Sequence, residues 1–264
     1  MKVARLFVTH VWSDEIEQEF RKLAACNSGD CWLLLDSRLS LPDGVLGRYP
    51  LHHIFSQQSL AALPYTKMST TGLIGNGHFP ILEFFRLRPD YDFYWFIEYD
   101  VRYTGDWSAF FGRFDSNEHD FTTAHIRRFT EEPFWWWWPS LGHPSIRLSR
   151  RGWLRSFNVI YRISNRALEF LDCVLQSGWR GHHEALIATV LHHNNFKLLD
   201  FGGHGSFVEA GSKNSAYTSS GSRTGFLSPL GTLRDRPPRP IVGSEENMLY
   251  HPIKPVIAGR VLPL

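Results

Sequence analysis

Glu98 and Asp100, separated by Tyr99, close the apolar run Tyr94-Trp95-Phe96-Ile97. That run reads as a buried strand, and along a strand alternate side chains share a face. Two carboxylates are thereby presented together where a parallel strand opens into its loop, the place where open α/β sheets put ligands. Neighbouring carboxylates repel each other and resist burial unless a cation or hydrogen-bond donors compensate. A divalent, oxygen-preferring metal is the simplest compensation, and a metal held there can hold a diphosphate. An ordinary strand end with one acid in a salt bridge is the alternative, because acid-x-acid triplets are common.

Three further groups carry chemistry. His251 precedes Pro252, which biases its backbone toward the extended region, and Lys254 follows three residues on. A cation-ligating His beside a phosphate-meeting Lys suits the leaving side of a nucleotide diphosphate; a surface His and Lys in a tail is the plain alternative. Gly181-His182-His183-Glu184 opens an amphipathic helix. An acid in a first helical turn is stabilised by the dipole, which suits ordinary capping and also a base that takes a proton from an acceptor hydroxyl. No His follows Glu184 at the HExxH offset, which excludes a zinc-protease helix. Trp135-Trp136-Trp137-Trp138 offers indole faces for sugar C–H faces, and the same block can serve as a bulky plug holding a flap to the sheet. The candidate acceptor contacts are Trp107, Trp136, Trp138 and Arg162. Thr9, His10 and Asp36, at the first two strand ends, join Lys254 as candidate donor contacts, although Thr and Asp at strand ends are also routine loop formers. The stretch 72–78 lacks the Lys-Ser/Thr of a P-loop and the GxGxxG of a dinucleotide fold, setting ATPase and dehydrogenase readings aside.

The elements that must position these residues are partly visible. Residues 3–10 read as a strand. Ser13 caps a helix carrying Asp14, Glu15 and Glu17 in its first turn and Ile16, Phe20 and Leu23 on one face. Residues 31–35 read as a second strand, making a βαβ opening that favours a parallel sheet. Residues 39–65 look irregular. Pro80 starts a helix that Pro89 ends, and strands follow at 93–98 and 121–126. Residues 130–158 break the pattern, and an aromatic flap is expected over about 130–160. Ser164 caps a helix stopped by Gly178. Another helix spans 182–193 and a strand 197–201. The Gly- and Ser-rich stretch 202–231 reads as a mobile loop or lid, stiffened further on by Pro237, Pro238 and Pro240. The expectation is one α/β domain over 1–264 with a mobile C-terminal segment from about 202.

Composition bounds the partners. The 264 residues are 43% hydrophobic with a formal net charge of +2 and no long run of one sign, which argues against a nucleic-acid surface. Ten Trp suit carbohydrate stacking and equally a large core. Cys26, Cys31 and Cys173 fit no zinc spacing and no disulfide framework, so a reducing compartment is the default. Residues 1–10 hold no apolar segment long enough for a signal peptide or membrane anchor. A cytoplasmic protein with no transmembrane segment is expected.

The stretch Tyr94-Trp95-Phe96-Ile97-Glu98-Tyr99-Asp100-Val101-Arg102-Tyr103-Thr104-Gly105-Asp106-Trp107 resembles the central signature of a glycosyltransferase-like family of unknown function found in fungi and bacteria. The Trp block, residues 161–168 and His251-Pro252-Ile253-Lys254 resemble its later blocks, so the similarity covers most of the chain. More broadly, the arrangement is similar to GT-A glycosyltransferases. That resemblance implies a Rossmann-like, mostly parallel sheet flanked by helices and a divalent metal, Mn2+ or Mg2+, under the diphosphate of a nucleotide-sugar donor. It implies Glu98, Asp100 and late His251 as metal ligands and Glu184 as the base of an inverting transfer to a glycan or other hydroxyl. Glu98 departs from the commonest pattern, which has Asp there; the longer side chain reaches ribose or water as readily as metal. A metal-dependent hydrolase of nucleotide sugars or sugar phosphates, and a non-catalytic carbohydrate-binding protein, are the rivals.

Overall fold

The computed structural model describes residues 1–264 except 28, 69–74, 117, 220, 240, 258, 259 and 262–264. Residues 72–74 of the stretch 72–78, and Pro240, therefore lie outside the described residues.

Strand β1 (Val3–Thr9) leads into α1 (Asp14–Ala24). The Ser13 side chain accepts from the Ile16 N–H, and Ile16, Phe20 and Leu23 turn inward, so cap and stripe coincide with the local pattern. β2 (Asp30–Asp36) follows. The stretch expected to be irregular holds α2 (Val45–Arg48), β3 (His52–Phe55) and α3 (Gln57–Ala61). β3 is too short to show a period; it becomes a strand by pairing with β2, from Leu33 opposite His52 to Asp36 opposite Phe55. Next come α4 (Phe79–Leu87), β4 (Phe93–Glu98), β5 (Arg102–Tyr103), α5 (Trp107–Gly112) and β6 (Phe121–Arg128). The chain then forms β7 (Leu154–Ser164), α6 (Asn165–Gln176), α7 (His183–His193), β8 (Leu198–Asp200) and β9 (Leu249–Tyr250). A hairpin of β10 (Val256–Ile257) and β11 (Arg260–Val261) comes last.

Among the described residues, seven strands make the central sheet in the order β3-β2-β1-β4-β7-β6-β8. Neighbours are parallel except where β7 runs antiparallel to β4 and β6. The mostly parallel sheet flanked by helices is thus the observed architecture. Because β1, β2 and β4 are parallel, their C-terminal ends open on one edge. The chain moves outward from β1 through β2 to β3 and then returns to place β4 on β1's other side. That reversal is a topological switch point, where a crevice forms.

β7 corrects the sequence reading, which ran the flap to about 160. The irregular segment ends at residue 153, and an eleven-residue strand begins at Leu154. Its polar residues Arg155, Ser156, Asn158 and Arg162 disguise a strand buried on both faces. They are tolerated because partners meet them: the Arg155 guanidinium donates to Glu132 (3.1 Å), the Ser156 hydroxyl to the Glu184 carbonyl (3.3 Å), and the Asn158 amide to the His183 carbonyl (3.3 Å). Pairing with β6 jumps from Tyr161 opposite Thr123 to Phe157 opposite Ala124, so β7 bulges at 158–160.

One face of the sheet packs on α4, α6 and α7 through Leu82, Phe84, Leu168, Leu171 and Leu186. The other packs on α1, α5 and the segment after 202, which contributes buried Ala216, Tyr217, Leu227, Leu233 and Leu249. Asp120 ties three elements at the far end of β6. It accepts from Arg166 Nε (2.6 Å), the Ser164 hydroxyl (2.9 Å) and the Lys197 backbone N–H (3.0 Å) at 2% exposure. Asp120→Ala strands the last two donors. A loss of about 2–4 kcal/mol is expected, lowering Tm by roughly 5–15 °C in calorimetry. A Tm within 2 °C of the unaltered protein would show that Asp120 does not hold the elements together.

Candidate active site

At the end of β4, Asp100 is 1% exposed and Glu98 keeps a third of its side chain open to the crevice. His251 reaches them from the far end of the chain. β9 pairs antiparallel with β5, setting Tyr250 opposite Arg102 and Leu249 opposite Tyr103. The Ile253 N–H donates to the Asp100 carbonyl (2.9 Å) and the His251 N–H to the Thr232 carbonyl (3.0 Å). His251 Nδ1 lies 3.0 Å from the Arg234 carbonyl, which puts a ring proton on Nδ1 and points Nε2 at the acids. Nε2 is 3.5 Å from Asp100 Oδ2 and 3.8 Å from Glu98 Oε2. Ligand atoms of all three residues fall within 4.8 Å of one another, and among the described residues no other such group of three occurs.

Lys254 donates to Asp100 Oδ2 (2.6 Å) and to the Tyr99 hydroxyl (2.8 Å). Asp100 Oδ1 stays buried with no hydrogen-bond partner among the described residues. Burial opposes the ionisation of Asp100, but His251 and Lys254 overcome it and hold its carboxyl well below the usual range. Burial first, and the Asp100 charge second, raise Glu98 to about 7. The two acids thus differ in the direction of their shifts, as close carboxylates do when one of them holds the nearby positive charges. An orphaned carboxylate oxygen, a second carboxylate and a pre-oriented imidazole fit a divalent metal.

Two cavities meet at this cluster. The first, about 360 Å³, is lined by His10, Asp36, Arg38, Glu98, His183 and Lys254, among others. Asp36 grips Arg38 through Nε (2.9 Å) and Nη2 (2.6 Å), so the ends of β1, β2 and β4 all contribute. The second, about 260 Å³, is lined by Trp135, Trp136, Trp137, His182, Glu184 and His251, with Gly225, Phe226, Asp235 and Arg236 closing it from the C-terminal segment. Glu98 faces the first cavity, His251 the second and His183 both.

Glu184 stands in the first turn of α7, 8% exposed, beside the β7 bulge. Its Oε1 accepts weakly from the Asn158 N–H (3.4 Å), and Arg155 Nη2 is 4.0 Å from Oε2. Arg155 is drawn elsewhere, to Glu132, to the Gly225 carbonyl and over the Trp135 ring at 4.2 Å. Burial therefore dominates and raises Glu184 to about 8 against the pull of Arg155.

The other expected contacts divide. His10, Asp36, Lys254 and Trp136 line the cavities. Thr9 does not: its hydroxyl is tied to the Val11 backbone, an ordinary strand-end turn. Trp107 opens α5 and is buried, stacked on Phe111 at 5.3 Å, because that helix must cover the sheet. Trp138 is also buried, donating from Nε1 to the Glu132 carbonyl (2.8 Å). Arg162 lies toward the opposite end of the sheet, its guanidinium 3.4 Å from the centroid of Phe93. The Trp block is a turn: Trp135 and Trp138 meet edge to face while Trp136 stays 56% exposed. Arg38, Phe226, Asp235 and Arg236 carried no sequence assignment, and His183 was named only as a neighbour of Glu184. Only Arg38 had a local signal, two residues after Asp36.

Among the described residues, no helix is long and apolar enough to cross a membrane. A family described as "Protein of unknown function (DUF3405)" matches residues 50–139, which include the Tyr94–Trp107 signature and the Trp block but not residues 161–168 or 251–254. No curated protein matches the sequence. A solved structure assigned as a glucose-1-phosphate thymidylyltransferase from Bacillus anthracis, in complex with sucrose, is similar with a TM-score of 0.45 and 11% identity, over 75% of this chain and 85% of that one. The mannosyltransferase PcManGT from Pyrobaculum calidifontis, in complex with GDP-Man and Mn2+, is similar with a TM-score of 0.43 and 11% identity, over 75% of this chain and 54% of that one.

Proposed function

We propose that this chain is a metal-dependent GT-A glycosyltransferase that moves a sugar from a nucleotide-sugar donor to a hydroxyl acceptor. The observation that carries the reading is the Glu98–Asp100–His251 cluster set between two cavities. A hydrolase needs room for its donor and a water; a second, indole-lined cavity with a raised carboxyl at its base argues for an acceptor with a body of its own.

Glu98, Asp100 and His251 would hold the cation. Two carboxylates and one imidazole suit Mn2+ better than Mg2+, which prefers an all-oxygen, largely hydrated shell. When bound, the metal would offset the negative charge that develops on the departing diphosphate. The chain's own groups do the rest. Asp36, Arg38 and His10 sit where a nucleoside would lie, at the ends of β1 and β2, and Lys254 adds positive charge on the phosphate side. Trp136 and Trp137 present ring surface to an acceptor sugar. Glu184 takes the proton from the acceptor hydroxyl, and attack from its side of the donor sugar gives inversion.

Nucleoside diphosphates are therefore expected to raise Tm when Mn2+ is present. Saturation at about 100 times Kd adds about 2.7 kcal/mol, or roughly 5–10 °C for a chain of this size. EDTA should abolish the shift. No shift with any nucleoside diphosphate would overturn the donor assignment. Free sugar as the sole product with acceptors present would favour hydrolysis instead.

A further inference from the structure

Three histidines, His78, His182 and His183, pack together, and His183 lines both cavities. His78 is 2% exposed, and neither of its ring nitrogens meets a partner among the described residues. His183 Nδ1 is likewise buried without one. The His78 and His183 rings lie nearly parallel, 6.3 Å apart, and His183 is 4.8 Å from His182, on which Trp137 stacks at 4.6 Å. The four rings form one wall. His183 is the member that reaches both cavities. A Cβ at Gly77 would come within 3.1 Å of His183 Nε2, so the glycine leaves that edge of the ring uncovered.

Buried polar atoms left unmet mark a position that a ligand completes. We propose that His183 holds a hydroxyl of the transferred sugar where the two cavities join, and that this wall selects a neutral sugar over one bearing a carboxylate. The inference rests on the transferase reading and names its donor class. A neutral imidazole carries one N–H and one lone pair, the complement of a hydroxyl, which both accepts and donates. A carboxylate only accepts, and would need a cation. Of the other basic side chains of the first cavity, Arg38 is engaged by Asp36 and Lys254 by Asp100, and burial holds His10 below its ordinary value, so that its ring is neutral near neutral pH. Burial also pushes His183 down to about 4 and His182 to about 2, so neither ring is charged near neutral pH.

The test is calorimetric titration in the presence of Mn2+. UDP, GDP, dTDP, ADP and CDP are measured first, then the neutral hexose, N-acetylhexosamine and uronic acid conjugates of each base that binds. At least one neutral sugar should bind about fivefold tighter than its bare diphosphate, the gain of one hydrogen bond, and the uronic acid no tighter. His183→Ala should erase that gain while leaving the diphosphate Kd within about twofold. His183→Asn or His183→Gln should recover part of it, according to which nitrogen is used. The inference fails if a uronic acid conjugate binds as tightly as the best neutral one, if no neutral sugar adds affinity, or if His183→Ala retains the gain. Failure of every diphosphate to bind the unaltered protein overturns the transferase reading and the inference with it. Diphosphate binding with an indifferent His183 overturns the inference alone.

Discussion

Asp100→Asn is expected to lower sugar transfer by about a thousandfold, the loss of electrostatic support for a leaving diphosphate, with the chain still folded. Asparagine matches aspartate in shape, and its amide oxygen still accepts from Lys254, whose second bond to the Tyr99 hydroxyl is untouched. What disappears is the negative charge and one ligand oxygen, the buried Oδ1 that has no partner among the described residues. A stability loss of about 1–3 kcal/mol follows from weakening a buried pair, small enough to leave a cooperative melt. The effect should lie in kcat together with Mn2+ affinity, and excess Mn2+ should recover little. Full transfer by the variant, or by the unaltered protein after chelation, would refute a metal role for this cluster.

Glu184→Gln should be nearly as severe, about 10²–10⁴-fold in kcat, the usual contribution of a general base. The donor's Kd should be unchanged, because Glu184 lines the second cavity and not the first. The pH profile gives the sharper sign. A base must be ionised, and burial raises this carboxyl to about 8. Below that value most molecules carry a protonated, inactive Glu184, so kcat/KM should rise tenfold per pH unit and flatten as pH passes the group's pKa. The glutamine variant should lose that limb. A flat profile between pH 5 and 9 in the unaltered protein, or a variant with near-normal kcat, would remove Glu184 from catalysis.

Much of the frame was legible because its signals are local. Ser13 and Ser164 cap where their hydroxyls meet the next N–H groups, and the β4 run ends at Glu98 as its apolar pattern does. β7 was not legible. Its arginines and asparagine read as loop until Glu132, α7 and the bulge supply partners for them. The Trp block shows the same limit: four identical residues divide into buried and exposed members only when the turn sets their directions.

The sequence by itself determined a pair of acids where a buried strand ends, an acid in the first turn of a helix, and alternating strands and helices that lead to a mostly parallel sheet. These depend on neighbours a few residues apart, where backbone periodicity alone decides which side chains share a face. Tertiary structure decided which residues meet. The β5–β9 pairing carries His251 across the chain to Asp100, α5 holds Trp107 against the sheet, the β4–β7 register sets Arg162 toward the other end of the strands, and α7 brings His183 to line both cavities. Contacts between distant segments follow from how sheet and helices share buried surface, which no short window of residues encodes.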